Sequence, residues 1–212
     1  MPFNNSTVYI VDDDPQICKS FRWLFESVNL NVETYENAKN FLDNYNESQN
    51  GCLIIDVRMP IMSGIEVLEH LNTKNNQLAV IVITGYGDIP MAVRAMKAGA
   101  YDFILKPVNH QNLLEVTQKC LKKNHFNIPR SQSDFNGRIN SLTKREKQIM
   151  DLVVEGKLNK QIAYELNISI STVEAHRAKV MKKMQAKTLA DLIKINLIHI
   201  NQIDSSELKN IY

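Results

Sequence analysis

Acidic side chains gather at two points where the sequence turns from an apolar run to a polar segment. Asp12, Asp13 and Asp14 follow directly on the first apolar run, and Asp56 ends the third. Several carboxylates in one cleft repel one another unless a cation is present, and an all-oxygen set of this kind suits a hard ion such as Mg²⁺. The simpler alternative is that the Asp-Asp-Asp-Pro segment only caps a helix that begins at Pro15.

A hydroxyl and an ammonium group stand at corresponding places further along the chain. Thr84 ends the fourth apolar run, and Lys106 follows the fifth. Carboxylate attack on phosphorus is poor unless a metal ion and a cation screen the negative charge. The acids, the threonine and the lysine together therefore predict a site that holds a phosphoryl group.

The elements between these residues predict how they are brought together. Five short apolar runs have the length of strands: Thr7–Val11, Asn31–Tyr35, Cys52–Ile55, Leu78–Ile83 and Asp102–Leu105. Helical periodicity follows each of them, at 15–28, 37–46, 63–73, 89–98 and 109–124. This alternation predicts an α/β domain with a doubly wound, five-stranded parallel sheet. In such folds the chemistry gathers at the carboxyl ends of the strands, where the acids, the threonine and the lysine should meet.

Four motifs occur in the order that these elements require. They are V-D-D-D at 11–14, I-I-D-V-R-M-P-I-M-S-G at 54–64, V-I-T-G-Y-G-D at 82–88 and D-F-I-L-K-P at 102–107. Over about 1–124 the chain resembles the receiver domain of two-component response regulators, which has a flavodoxin-like fold. By this resemblance, Asp56 accepts a phosphoryl group from a sensor histidine kinase.

The resemblance also implies a role for the neighbouring residues. It assigns Mg²⁺ to the side chains of Asp12, Asp13 and Asp56 and the backbone carbonyl of Arg58. It assigns contacts with the phosphoryl oxygens to Thr84 and Lys106. Phe103 is implied to be the aromatic residue that moves on activation, and Pro107 to follow a cis peptide bond.

One class of enzyme uses a related site, the Mg²⁺ phosphohydrolases with an aspartate nucleophile. Such an enzyme needs a second carboxylate two residues after the nucleophile as its acid or base, but Arg58 stands there. We therefore predict a phosphoacceptor and not an enzyme.

The helix after Thr84 is expected to present a dimer face whose exposed residues include Val93 and Lys97.

The last part of the chain differs from the rest in charge and pattern. Residues 1–125 carry 11 basic and 14 acidic side chains, whereas 126–212 carry 14 and 9, so the net charges are −3 and +5. A stretch with Pro, Gly and Ser at 125–138 predicts a linker after a first domain at 1–124. Helical periodicity then recurs at 143–155, 159–166, 170–184 and 188–200, before a polar tail at 201–212. This pattern predicts a small all-α domain at 139–200 with a polyanionic partner.

Residues 159–184 have the spacing of a helix-turn-helix, and Thr143 with Glu146 predicts a capping box on the preceding helix. One face of the second helix is apolar, with Val173, Val180 and Met184. The opposite face comprises Glu174, Ala175, Ala178, Lys179 and Lys182. A solvated face on an ordinary helical bundle is the alternative, but the positive charge favours a nucleic acid.

Three stretches of this part resemble the LuxR/NarL-type DNA-binding domain over about 139–200. They are L-T-K-R-E-K-Q-I-M at 142–150, G-K-L-N-K-Q-I-A at 156–163 and I-S-I-S-T-V-E-A-H-R-A-K-V-M-K-K-M at 168–184. The resemblance makes 170–184 the recognition helix. Backbone contacts with DNA would come from Lys160, Thr172, His176, Lys179 and Lys183, and the residues nearest the bases would be Glu174, Ala175 and Ala178. The sequences of both domains are most similar to those of the FixJ subgroup. One stretch that carries this resemblance is G-Y-G-D-I-P-M-A-V-R-A-M-K-A-G-A at 85–100.

Three features of the helical domain leave alternatives open. His176 is either a DNA-backbone contact or a buried structural histidine. Arg177 either pairs with Glu146 or extends its charged end past the apolar stripe to solvent. The last helix, 188–200, has more apolar residues than one core-facing stripe needs, so it either packs within its own domain or pairs two copies on DNA.

Composition excludes several other classes. With 44% hydrophobic and 23% charged residues the chain is globular, and its longest apolar run, Leu78–Ile83, is too short to span a membrane. The amino end lacks the features of a signal peptide, so a cytoplasmic location without a membrane partner is expected. The three cysteines form no C-x-x-C pair and are expected to be buried apolar fillers: Cys18, Cys52 and Cys120.

Taken together, these features predict a DNA-binding response regulator. Phosphorylation of Asp56 would promote dimerisation and sequence-specific DNA binding, which changes transcription. The expected partners are a sensor histidine kinase, double-stranded DNA, a second copy of the chain when phosphorylated, and RNA polymerase; the expected cofactor is Mg²⁺. The alternative is a receiver-controlled module whose helical domain binds RNA or a protein.

Overall fold

The chain forms two compact units in the computed structural model, residues 1–124 and 125–212. The structure describes residues 6–74, 76–85, 89–122 and 137–197. Most of the predicted linker at 125–138 and all of the predicted tail at 201–212 lie outside these described residues.

The first unit is a five-stranded parallel sheet flanked by helices. Its strands are β1 (Thr7–Val11), β2 (Asn31–Tyr35), β3 (Gly51–Asp56), β4 (Leu78–Thr84) and β5 (Asp102–Leu105). Its helices are α1 (Pro15–Glu26), α2 (Ala38–Asn44), α3 (Gly64–Asn72), α4 (Ile89–Lys97) and α5 (His110–Leu121). The strands lie in the order β2-β1-β3-β4-β5, which confirms the predicted doubly wound fold and places the reversal of strand order between β1 and β3.

The three central strands form the core of this unit. β1, β3 and β4 are buried along almost their whole length, which explains why their sequences are continuous apolar runs. The edge strand β2 instead alternates exposed and half-buried residues. The cysteines are free and buried, as predicted: Cys18, Cys52 and Cys120.

Helix α4 differs from our prediction in the residues that it exposes. Lys97 is exposed, but Val93 is only 2% exposed. Val93 belongs to the inward face of the helix, together with Ala92, Ala95 and Met96. The expectation that Val93 forms part of an exposed dimer face was therefore wrong.

The second unit is helical in the residues that the structure describes. Its helices are α6, described over 137–140, α7 (Lys144–Val154), α8 (Asn159–Glu165), α9 (Ile170–Met184) and α10, described over 189–197. Both α7 and α8 pack on α9. In the part of the chain that the structure describes, no helix is both long enough and apolar enough to cross a membrane.

Local signals set the bounds of the helix-turn-helix. Thr143 and Glu146 form the predicted capping box at the start of α7. Between α8 and α9, Asn167 takes a left-handed conformation with φ +51°, and the Ser169 side chain caps α9. The predicted inward face of α9 is confirmed, because its apolar residues are buried: Val173, Val180 and Met184.

Candidate functional site

Four polar side chains converge at the carboxyl edge of the sheet. Asp12 follows β1, Asp56 ends β3, Thr84 ends β4 and Lys106 follows β5. Because these strands are consecutive neighbours in a parallel sheet, their carboxyl ends lie side by side. Asp12, Asp56 and Thr84 are 2%, 5% and 1% exposed. Three of the four side chains are therefore almost completely shielded from water, whereas the Lys106 side chain is 32% exposed.

The Lys106 ammonium joins the two buried carboxylates. Its Nζ lies 2.6 Å from Oδ1 of Asp56 and 3.3 Å from Oδ2 of Asp12. Burial by itself lowers the pKa of Lys106, but hydrogen bonds and charges from Asp56 and Asp12 outweigh burial and raise the pKa above its ordinary value. The lysine is therefore a fixed cation that offsets the repulsion between the acids.

The three consecutive aspartates have different surroundings. Asp12 turns into the site, where its Oδ1 accepts a 2.9 Å hydrogen bond from the Asp14 amide. Burial raises the pKa of Asp12, although the Asp14 amide and the charge of Lys106 act in the opposite direction. Asp14 accepts a hydrogen bond from the Gln16 amide and caps α1, so the capping alternative holds for that residue. Asp13 is exposed.

Backbone groups hold the Asp56 side chain and main chain in place. Its Oδ2 accepts a 2.7 Å hydrogen bond from the Arg58 amide. The amino end of α3 packs so closely that a Cβ on Gly64 would lie 2.3 Å from the Asp56 carbonyl oxygen. Only glycine permits this approach. We did not predict this role, although the Ser-Gly pair before a helical pattern was a signal for it.

The Thr84 hydroxyl is buried without a hydrogen-bond partner among the described residues. A buried hydroxyl without a hydrogen-bond partner destabilises the fold. The place of the Thr84 hydroxyl therefore suits a ligand that brings a hydrogen-bond acceptor. The Lys106 amide donates a 2.8 Å hydrogen bond to the Thr84 carbonyl, and the Lys106–Pro107 peptide bond is cis, as predicted. Phe103 is half-buried on β5, in register with Val82 of β4.

The oxygen groups at this edge fit Mg²⁺ by type. Among the described residues, no three His, Cys, Asp or Glu side chains form a complete metal-binding group. Mg²⁺ normally keeps several waters and binds one or two carboxylates together with phosphate oxygens, so two buried carboxylates are sufficient. Asp12 and Asp56 supply them, with Asp13 and the Arg58 carbonyl close in sequence.

The predicted DNA-contacting residues differ in exposure. Five are exposed: Lys160 on α8 and Glu174, Ala175, Ala178 and Lys179 on α9. Thr172 is half-buried, with its Oγ1 2.7 Å from the Ser169 Oγ in the cap of α9. His176 is also half-buried, and its Nδ1 is inside the domain without a partner among the described residues. The His176 side chain is thus partly inside the domain and partly accessible.

Lys183 binds within its own domain. Its Nζ lies 2.6 Å from Oε2 of Glu146 and 2.9 Å from the Ser141 carbonyl oxygen. Hydrogen bonds from Lys183 and from the Thr143 amide lower the pKa of the buried Glu146 to about 2. We correct the prediction for Lys183 and assign it a structural role, because its ammonium is already bound to a buried carboxylate. A signal was present: Lys183 follows the buried Val180 by three residues and so lies on the same side of the helix.

Arg177 does not pair with Glu146. Its Nη1 lies 2.5 Å from Oδ1 of Asn159, the first residue of α8. Burial lowers the pKa of Arg177, and the charge of Glu174 acts in the opposite direction. The Asn159 amide nitrogen lies 3.5 Å from Oε1 of Glu174, so the Asn159 side chain links Glu174 with Arg177.

Helix α10 packs largely within its own domain. Four of its residues are buried: Ala190, Leu192, Ile193 and Ile195. For the described part, this favours the first of the two alternatives. Residues 198–200, which completed the predicted apolar surface, lie outside the described part of the chain.

Two family models match the chain. Residues 8–118 match the response regulator receiver domain, and residues 140–195 match the bacterial regulatory proteins of the luxR family. The response regulator protein TodT of Pseudomonas putida is 44% identical over 193 residues, which cover 90% of this chain and 85% of TodT. The transcriptional regulatory protein FixJ of Rhizobium meliloti is 42% identical over 195 residues, which cover 90% of this chain and 95% of FixJ.

A solved structure is similar to the chain over most of its length. The two-component response regulator RcsB, in a complex with DNA, matches with a TM-score of 0.53 at 25% identity, over 91% of this chain and 98% of the RcsB chain. The fold and the acidic cluster define the first unit as a receiver, and the helix-turn-helix defines the second as a regulatory domain. The chain belongs to the response regulators of the FixJ and TodT type, with a receiver domain and a LuxR-type DNA-binding domain.

Proposed function

We propose that a sensor histidine kinase phosphorylates Asp56 and that this modification promotes dimerisation and sequence-specific binding to double-stranded DNA. The observation that carries the proposal is the buried cluster in which Lys106 bridges Asp56 and Asp12 beside the unpartnered Thr84 hydroxyl. An acyl phosphate on Asp56 would bring oxygens that both the ammonium and the hydroxyl can bind. A metal ion would compensate the remaining negative charge.

The chemistry divides among a few residues. A carboxylate oxygen of Asp56 attacks the phosphorus of a phosphohistidine, the P–N bond breaks and an aspartyl phosphate forms. When bound by Asp12, Asp13, Asp56 and the Arg58 carbonyl, Mg²⁺ supplies positive charge to the transferred group. Lys106 lies close enough to hold a phosphoryl oxygen. Since Arg58 occupies the position where a hydrolase needs its acid or base, we propose a phosphoacceptor and not an enzyme.

The switch begins at Thr84. A phosphoryl oxygen would give its hydroxyl an acceptor and draw it inward, which makes room for the half-buried Phe103 to turn in. Moving a population from about 1:99 to 99:1 requires about 5.5 kcal/mol, and one new hydrogen bond supplies about 1 kcal/mol. Lys106, which is linked to Thr84 through the backbone, therefore has to contribute as well.

Thr84→Ala should accept phosphate but dimerise poorly. The variant keeps the carboxylates and the lysine, but it lacks the hydroxyl that couples the phosphoryl group to Phe103. Analytical ultracentrifugation of the phosphorylated protein measures the effect. Thr117→Ala is the matched control, because Thr117 on α5 is also a buried threonine without a hydroxyl partner among the described residues. Normal dimerisation of Thr84→Ala would show that the signal takes another route.

The domains divide these tasks. We assign residues 1–124 to the receiver, 125–138 to a linker, 139–200 to the DNA-binding domain and 201–212 to a polar tail. The exposed face of α9 would lie in the major groove, with Ala175 and Ala178 admitting the helix closely and Lys160 and Lys179 binding phosphates. Thr172 and His176 contribute the accessible parts of their side chains.

A DNA-bound regulator works where the bacterial chromosome lies, in the cytoplasm. It acts on transcription by contact with RNA polymerase.

Glu174→Ala should relax the preference for one symmetric C·G position in the binding site. Glu174 is exposed in the first half of α9, and its carboxylate is an acceptor that matches the amino group of cytosine. Such a contact distinguishes bases by about 1–3 kcal/mol. Selection of binding sites from random DNA measures the preference, with Lys179→Ala as the control that should weaken affinity and leave the preference unchanged. Identical motifs from wild type and Glu174→Ala would show that Glu174 reads no base.

A further inference from the structure

The loop between β3 and α3 carries an apolar side chain that the fold does not use. Ile61 is 98% exposed, the highest value among the large hydrophobic residues of the described chain. Its φ of +72° lies in the left-handed region, which is unfavourable for a β-branched residue. The Met62 amide donates a 2.8 Å hydrogen bond to the Pro60 carbonyl, which closes a strained three-residue turn around Ile61.

The loop holds Ile61 at a fixed place. On one side of Ile61, Met59 is buried. On the other side, Ser63 caps α3 in a capping box, and the Gly64 amide donates a 3.1 Å hydrogen bond to the Val57 carbonyl. Both ends of the turn are thus held by packing and hydrogen bonds, and Ile61 projects from it.

The same loop is bonded to the phosphoacceptor. Asp56 begins it, and the Arg58 amide donates to the Asp56 carboxylate. Ile61 follows Asp56 by five residues, so a protein large enough to cover this carboxylate is expected to contact the loop. A small phosphodonor needs no such contact, because it can enter without covering the loop.

We propose that Ile61 is an apolar anchor for the histidine-bearing domain of the kinase that phosphorylates Asp56. The inference rests on the proposed function and adds a recognition residue to it. Ile61 buries almost none of its surface in the isolated chain and takes a conformation better suited to glycine, so folding alone does not account for it. Local rules of this kind are broken chiefly at functional sites. When the kinase binds, burial of the Ile61 side chain would offset the free-energy cost of its left-handed conformation and of its exposed apolar surface.

The test compares two phosphodonors on four proteins. The proteins are wild type, Ile61→Gly, Ile61→Asn and Ile61→Leu. Glycine and asparagine tolerate the left-handed conformation and remove the apolar chain, whereas leucine keeps an apolar chain of similar size. The donors are acetyl phosphate with Mg²⁺ and an autophosphorylated histidine kinase core, chosen from a panel as the one that transfers phosphate fastest to the wild-type chain.

With the kinase, we expect kcat/KM for phosphotransfer to fall about tenfold or more in the glycine and asparagine variants, as removal of one buried aliphatic side chain implies. Ile61→Leu should stay within about threefold of wild type. With acetyl phosphate, all four proteins should label at rates within about twofold. Thermal unfolding should show Ile61→Gly to be at least as stable as wild type, since the strain at this position is removed.

Three results would overturn the inference. The first is unchanged transfer from the kinase to Ile61→Asn. The second is an equal decrease with both donors, which would mean that the residue shapes the chemical site. The third is normal transfer combined with a selective loss of dimerisation, which would assign Ile61 to a second copy of the chain. Failure of the wild-type chain itself to label with acetyl phosphate would instead contradict the proposed function, so the two failures are distinguishable.

Discussion

Replacing Asp56 with asparagine is expected to abolish phosphorylation of the chain. With acetyl phosphate and Mg²⁺, wild type should take up a single acid-labile phosphate, and the variant should take up none. The neutral amide is a poor nucleophile toward phosphorus, and the neighbouring Asp12 carboxylate is held by the Asp14 amide and by Lys106. Mass spectrometry of the intact protein measures the uptake directly.

A matched control separates this effect from a general consequence of removing a carboxylate. Asp43→Asn changes an exposed acid on α2, away from the carboxyl edge of the sheet, and should label as wild type does. Two results would contradict the assignment: undiminished labelling of Asp56→Asn, and labelling of wild type in the absence of a divalent metal ion.

DNA binding is expected to weaken by roughly 10²-fold between about 50 and 200 mM salt. Binding of lysines to phosphates releases counterions, and a dimer doubles the number of lysines that bind. The exposed Lys160 and Lys179 supply two per subunit, and backbone amides and hydroxyls at the start of α9 can add hydrogen bonds that carry no charge. Fluorescence anisotropy of a labelled duplex across the salt range measures the slope of log affinity against log salt.

The slope also tests an individual residue. Lys179→Ala should reduce the slope of log affinity against log salt by about 0.9 for each phosphate that is no longer neutralised, while the sequence preference is retained. Lys39→Ala, at an exposed position on α2 of the receiver, should leave the slope unchanged. Salt-independent binding would contradict the proposed surface, and an unchanged slope for Lys179→Ala would remove that residue from it.

The arrangement of the receiver was predictable because its main determinants are local in sequence. Each apolar run predicts a buried strand, and the polar residue at its end predicts a place at the carboxyl edge. Asp12, Asp56, Thr84 and Lys106 therefore could be placed together before any distance was known. The position of the Lys106 ammonium between the two acids could not be predicted, because it depends on side-chain conformation.

The residues that departed from prediction depend on how helices rotate against their neighbours. Val93 and Lys183 lie near the boundary between an inward and an outward face, where a shift of a few tens of degrees decides burial. The partner of Arg177 is on another helix, and nothing in its own segment indicated Asn159. For Ile61, the residue type even argued against the observed φ, so the conformation is a property of the clamped loop.

Lys106 comes 94 positions after Asp12 in the chain, although their side chains lie 3.3 Å apart. On the ribosome, the cation that relieves the repulsion between Asp12 and Asp56 is thus among the last parts of the receiver to emerge. Pairings of such long sequence separation form slowly compared with the local pairings of a helix-turn-helix. A nascent chain therefore gains its phosphate-accepting centre only as β5 joins the sheet and brings Lys106 to the two acids.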